Sequence, residues 1–511
     1  MELLLIINWT KRFLNLFALK NKLKKSFFIL FLSLFSISKG AFTYDYNKNC
    51  QQAYQAIFKL KFAAGKALLE TEKKANPNNL MPFFIEDYID FFTLYIGENK
   101  TLFESLETKK SNRIDILEKG NKNSPWFLYT QADLHLHWAF ARIKFGEYLS
   151  AVLEVKKAAS MHRENLEKFP DFKPSIKSMA LLNTIFGAIP DKYKFGAKIL
   201  GLKGSINQGI TDLKSVIKDP NFQFKDEGII LYTLIQLHLL KDYNEAWKMI
   251  NGNLSLEDNL LNHFVVATVA AHVGKNDKVI EILLTKPSNK EFFPYPFLDF
   301  LLGNAKLNRL DKDADIYLKK FISTFKGQNY IKEANRKLAW FYLINSQPDL
   351  YKKYLLVCKT TGNETIDEDI AAQKEANSNI IPQKELLKAR VLFDGAYYQR
   401  AIDMLTKINP TKLSSNREKI EYFYRKGRIL HEWGKLDEAL IEYQKTIQSD
   451  PNLNLYFAPN AALKSGAIYE KKGNKTKAIE YYKKAISYKT HEYKNSVDAE
   501  AKAGINRLEQ K

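Results

Sequence analysis

The sequence predicts an all-α fold, a solenoid of helical hairpins whose first half has diverged further than its second. Three observations predict it. A pattern of small and aromatic residues occurs twice between Phe423 and Ala485 at one spacing: Gly427 and Ala439 are twelve positions apart, so are Gly466 and Ala478, and four residues after each Ala comes a tyrosine, Tyr443 and Tyr482. No stretch alternates apolar and polar residues at the period of a strand. The chain has 511 residues, more than one compact core usually spans; a solenoid escapes that limit because each repeat touches only its neighbours.

Composition is that of a folded protein, 45% hydrophobic and 26% charged, which argues against disorder. The formal net charge is +21, of which residues 1–40 supply +6 and the rest +15. The excess is lysine scattered along the chain. A nucleic-acid face would need it concentrated with aromatics to stack on, so no nucleic-acid partner is expected. Cys50 and Cys358 are 308 positions apart, too far in a solenoid for a disulfide.

Taken in order, the chain opens with Lys20, Lys22, Lys24 and Lys25, an apolar run from Ser26 to Ser38, and small residues at Ser38 and Gly40. That is the layout of a signal peptide over residues 1–40, cleaved near Ala41, and no stable membrane insertion is expected afterwards. An uncleaved anchor is the alternative. Residues 41–120 form an N-terminal helical segment. Tyr54, Ile57, Phe58, Phe62, Gly65, Leu68 and Leu69 recur at helical spacing from Cys50 to about Ala75, Asn76-Pro77 breaks that helix, and Phe83 to Tyr95 supplies its antiparallel partner. Residues 121–360 hold divergent hairpins. Ala139 and Ala151 keep the spacing of twelve, and so do Ala267 and Val279. Residues 361–380 are polar and partly acidic and read as the connection to a regular half, residues 381–511. There Gly427 and Ala439 meet where two helices cross, since a larger side chain would force them apart. Leu430, Leu436 and Tyr443 fill the surrounding space, Gly434 ends the first helix in a left-handed turn and Pro451 stops the second. Val497, Ala501, Ile505 and Leu508 share one face of a final capping helix.

The double pattern from Phe423 to Ala485 resembles the tetratricopeptide repeat. A second resemblance lies in Ile189–Gly204 with Gly209 and Leu213, which is similar to the Pro…Leu-x-Gly-Phe-x-Gly…Gly-x-x-x-Leu signature of the tetratricopeptide repeat 39 family, with Ile199 and Leu202 as departures. The resemblance implies a bacterial branch of that architecture and brings no catalytic residue.

Motifs for chemistry are absent. His135 and His137 are two apart and point about 200° apart on a helix, so they cannot share a metal; one is expected packed and one solvated. There is no His-Glu-x-x-His, Cys-x-x-Cys pair, phosphate loop or Gly-x-Ser-x-Gly, and Ile366–Asp369 lacks the ligand alternation of a calcium loop. No catalytic residue, cofactor or metal site is expected. Candidate partner-binding residues fall on first helices. Arg390 follows Ala389 as Arg428 follows Gly427, placing an arginine at the same position of two successive repeats. Asp394 and Glu432 lie one turn on, Tyr424 one turn before Arg428, and His431 beside Glu432. Such guanidiniums clamp a carboxylate through paired hydrogen bonds; alternatively Arg390–Asp394 and Arg428–Glu432 satisfy each other as i,i+4 pairs. The reading is an exported, non-catalytic scaffold that binds a protein or peptide through its concave groove, in the periplasm or at the envelope surface of a bacterium. A structural subunit of an envelope complex and an enzyme without recognisable motifs are the alternatives.

Overall fold

The computed structural model describes residues 41–189, 197–198, 201–378, 380–449 and 455–509. The expected signal peptide, Pro451, and Pro190–Gly196 with Ile199 and Leu200 lie outside these residues.

Helix follows helix throughout, and no strand occurs among the described residues, where Thr43 and Asn79 form an isolated bridge. The first hairpins pair α1 (Lys48–Phe58) with α2 (Phe62–Ala75), α3 (Met81–Gly97) with α4 (Lys100–Leu117), α5 (Pro125–Lys144) with α6 (Tyr148–Lys168), and α7 (Lys173–Gly187) with α8 (Ile206–Ile217). Next come α9 (Lys225–Leu234) with α10 (Tyr243–Ile250), α11 (Leu260–His272) with α12 (Asn276–Leu284), α13 (Phe297–Arg309) with α14 (Ala314–Thr324), and α15 (Ile331–Ile344) with α16 (Pro348–Thr360). A lone helix, α17 (Asp367–Asn377), precedes α18 (Lys384–Asp394) with α19 (Tyr398–Thr406), α20 (Asn416–Glu432) with α21 (Leu436–Gln448), α22 (Phe457–Lys471) with α23 (Lys475–Ser487), and the last helix, α24 (Lys494–Glu509).

First helices pack on first helices along most of the row, from α1 to α3 and α5, and from α18 through α20 and α22 to α24. The second helices pack on first helices instead. Elements that stay in touch lie inside a curved array, so the first helices form its inner wall. The coil is tight enough to bring distant hairpins together. The Phe293 N–H donates to the Leu60 carbonyl at 2.7 Å, Tyr397 Oη donates to Asp277 at 2.8 Å, and Lys374 of α17 lies 5.7 Å from the Tyr493 ring centroid before α24. One apolar core runs without a break from Cys50 to Ala305, and smaller cores follow under the later hairpins.

Among the described residues, nine hairpins turn in the same way. A left-handed residue stands two positions before the second helix: Leu60, Glu98, Gly146, Lys241, Gly274, Ser346, Ala396, Gly434 and Gly473. Gly434 (φ 85°) and Gly473 (φ 75°) adopt this conformation at no steric cost. The five residues with side chains adopt it at a steric cost.

The structure corrects four expectations. The stretch from Cys50 to Ala75 is a hairpin rather than one helix, broken at Leu60 (φ 68°). The 361–380 connection contains α17, whose Asp369 is buried at the start of α15 and accepts the backbone N–H groups of Tyr330 (2.7 Å) and Glu333 (2.9 Å). His135 and His137 are both buried, because neighbouring helices cover α5 on every side. Gly427 makes room for the ring of Tyr443 rather than for Ala439: a Cβ there would lie 2.6 Å from Tyr443 Cδ1, and one at Gly466 2.7 Å from Tyr482 Cδ1.

Candidate functional site

On the inner wall, aromatic and cationic residues of successive hairpins interleave. Trp340 of α15 is fully buried, and its indole N–H donates to Glu375 Oε1 of α17 at 2.5 Å. Three cations surround its ring: Arg390 of α18 lies 4.3 Å from the centroid, Lys337 4.5 Å and Arg336 4.8 Å. Glu375 pairs with Arg336 at 3.3 Å and with Arg390 at 3.7 Å, while Glu333 pairs with Arg336 at 2.5 Å and Lys337 at 3.5 Å. Three cations thus share two carboxylates. Arg390 keeps 30% of its side chain exposed. Burial works against its charge, but Glu375 and then Asp394 outweigh that and raise its pKa.

One hairpin further on, Arg428 of α20 lies 5.0 Å from the Phe393 ring centroid of α18 and 6.0 Å from that of Tyr424. Its Nη1 donates to Tyr424 Oη at 3.3 Å. Each arginine therefore rests on an aromatic ring of the preceding first helix, Arg390 on Trp340 and Arg428 on Phe393. They differ in charge pairing. Among the described residues no carboxylate comes within 4.0 Å of Arg428, and its Nε is buried without a partner.

The other candidates separate. Neither i,i+4 pair closes to 4.0 Å, and Asp394 and Glu432 are exposed. Tyr424 is buried against Phe457, with ring centroids 5.3 Å apart, so it supports Arg428 from below and offers no free face. His431 turns into the hairpin, where its Nδ1 lies 3.2 Å from Tyr443 Oη and burial lowers its pKa. Sequence reasoning missed Trp340, Arg336, Glu375 and Phe393. The Arg336–Trp340 spacing of one helical turn was the available signal for the first two.

A second cluster is buried in the first half. Lys177 of α7 donates to Glu227 of α9 at 2.5 Å and to Asp133 of α5 at 3.3 Å. Asp133 also accepts from Ser178 Oγ at 2.5 Å and lies 3.1 Å from His162 Nε2; Glu227 accepts from Tyr54 and Tyr88, each at 3.1 Å. Asp87 of α3 joins Arg113 of α4 (2.9 Å) to His137 (2.8 Å). Burial opposes both charges of the Lys177–Asp133 pair, yet their attraction prevails: the Asp133 carboxyl is held far below the usual range and the Lys177 pKa is raised. Asp133, His137 and Glu227 offer ligand atoms within 4.8 Å of one another, a spacing that could hold a metal ion. The Lys177 ammonium bonds two of these carboxylates and supplies the positive charge there.

Hairpins stacked first helix on first helix, with a cationic and aromatic inner wall, define a helical-repeat protein of the solenoid class. Residues 420–453 and 460–491 each match the tetratricopeptide repeat family, so the C-terminal part carries tetratricopeptide repeats. No curated protein sequence matches the chain. Among solved structures it is similar to the TPR domain of P58(IPK), at 15% identity over 80% of this chain and 96% of that one (TM-score 0.21). It is also similar to yeast Tom70, at 15% identity over 82% and 96% (TM-score 0.23), and to the human IFIT1 dimer with m7Gppp-AAAA, at 13% identity over 94% and 94% (TM-score 0.27).

Proposed function

We propose that this chain is an exported, non-catalytic scaffold that holds an acidic segment of a protein or peptide partner against its inner wall, centred on Arg428. The observation that carries this reading is the Arg428 guanidinium, seated on Phe393 and Tyr424 with no carboxylate within 4.0 Å among the described residues. A guanidinium fixed in place with no carboxylate beside it keeps its remaining Nη donors for an incoming carboxylate, and Arg suits such pairing better than Lys. Curved helical repeats lend themselves to this use because they present an extended inner surface. The basic residues before Ser26–Ser38, with small residues at Ser38 and Gly40, support delivery to the periplasm or envelope surface of a bacterium. The Ile189–Leu213 motif supports a bacterial branch related to the tetratricopeptide repeat 39 family.

The test is a quantitative pull-down from envelope fractions with the wild-type chain and with Arg428→Ala. A partner enriched by the wild type and lost by the variant at moderate salt supports the reading. Equal recovery by both contradicts it.

A further inference from the structure

Helix α17 stands outside the hairpin pattern, inserted between α16 and α18. Its eleven residues include the acids Asp367, Glu368, Asp369 and Glu375 against one cation, Lys374. Beyond Ile366, which precedes the helix and is buried in the core around Trp340, its apolar attachment is slight: Ala372 and Ala376 meet Cys358 in a small cluster separate from the main cores. Polar contacts hold the rest. Glu375 takes the Trp340 indole N–H and faces Arg336 and Arg390, Asp369 takes two backbone N–H groups at the start of α15, and Lys332 donates to Gln373 at 2.5 Å. An element with so little buried apolar surface belongs to the low-stability end of a fold and opens without the rest. Ile380 and Ile381, in the connection that follows it, are exposed, so that end is not anchored in a core.

We propose that α17 is an internal ligand: it occupies the Trp340–Arg390 section of the inner wall in the free protein, and an acidic helical segment of the partner displaces it. This rests on the reading of the wall as an acidic-partner site. The helix shows the chemistry that the section accepts, a carboxylate on the indole N–H flanked by two guanidiniums, while its small residues Ala372 and Ala376 face Cys358 of α16. Arg428, which has no carboxylate within 4.0 Å among the described residues, is where an incoming segment first engages. Release of Glu375 then frees Arg390 for the same ligand. The wall has one further section to offer when occupied than when free, which makes α17 a competitor that sets the affinity.

Hydrogen exchange on the full chain tests the proposal. Amides of residues 367–377 are expected to exchange at least 100-fold faster than those of α15 and α18, and Glu375→Gln is expected to speed them by about tenfold more, as loss of charge-assisted bonds does, with α15 unchanged. Exchange of α17 together with α15 as one cooperative unit overturns the proposal. A second measurement uses a fluorescein-labelled peptide of residues 365–379. A chain whose residues 364–380 are replaced by a Gly-Ser linker is expected to bind it saturably, and the unaltered chain at least tenfold more weakly. Absence of binding to a replaced chain that keeps its helical circular dichroism also overturns it. Arg428→Ala leaves α17 exchange unchanged, so failure of the Arg428 reading and failure of the internal ligand give different results.

Discussion

The ring of Tyr482 is wedged against Gly504 of the last helix, where a Cβ would lie 2.5 Å from its Cε2, and against Gly466 on its other edge, where a Cβ would lie 2.7 Å from its Cδ1. Tyr482 is 2% exposed and has little room to shift. Gly504→Ala therefore sets two effects against each other. Alanine favours a helix over glycine by about 1 kcal/mol, while forcing a methyl into a packed core costs about 1–3 kcal/mol. Overpacking is expected to win, with a net loss of about 1 kcal/mol in urea unfolding. A stabilised variant would show that the last helix does not dock closely.

The shared left-handed turn yields a paired prediction. Lys241 (φ 57°) is exposed and Leu60 (φ 68°) is fully buried. A left-handed backbone costs a residue with a side chain about 1–2 kcal/mol, partly offset by the greater unfolded-state freedom of glycine. Lys241→Gly is expected to raise stability by up to about 1 kcal/mol. Leu60→Gly is expected to lower it by at least about 2 kcal/mol, because the buried side chain is lost. Thermal melts with the same sign for both changes would contradict this account of the turn.

That turn also explains what was legible in the sequence. Gly434 and Gly473 announce their turns, and Gly427 and Gly466 are small because Tyr443 and Tyr482 lie on them, so two hairpins stood out. Leu60, Lys241, Ser346 and Ala396 adopt the same backbone with nothing in their chemistry to signal it. Hairpins in the divergent half were accordingly faint, and the one at Leu60 read as a single helix. The last helix was legible because Val497, Ala501, Ile505 and Leu508 do face the preceding hairpin. At the site, the matching of Arg390 with Arg428 followed from the repeat. Glu375 was not readable, because folding brings it to Arg390 from another helix, and Trp340 had only its one-turn spacing from Arg336 as a signal. Helix α17 was hidden by its acids, which spacing alone assigns to a solvated connection.

The buried cluster around Lys177 makes a strong demand on stability. Lys177→Met leaves Asp133 and Glu227 facing each other in the core without their shared cation. Breaking such a pair costs about 3–5 kcal/mol, a large part of the ~5–15 kcal/mol that holds a domain folded. The variant is expected to show a large fall in its urea midpoint, partly restored by adding Asp133→Asn. An unchanged midpoint would mean that water or a bound ion reaches the cluster.

Asp369 predicts a pH dependence. Burial pushes its carboxyl up to about 7 against the pull of the Glu333 and Tyr330 N–H groups, with Glu333 and Glu368 adding to the rise. Unfolded, the group titrates near pH ~3.9. Between about pH 4 and 7 the folded chain thus holds a proton that the unfolded chain lacks, so stability declines as pH rises through this window and levels off above it. Asp369→Asn keeps an acceptor and removes the titration. The wild type is expected to lose melting temperature relative to the variant between about pH 5 and 8, and parallel profiles would contradict the upward shift.

The central claim is that the inner wall binds an acidic segment through Arg428. The most direct measurement is calorimetric titration of the captured partner segment into the wild-type chain and into Arg428→Ala. Loss of one charge-assisted hydrogen-bonded pair is worth about 1.5–3 kcal/mol, so Kd is expected to rise by about 10- to 100-fold while the melting temperature stays within about 2 °C. A Kd unchanged by Arg428→Ala, in a variant that melts like the wild type, would contradict the account and move the binding surface elsewhere on the solenoid.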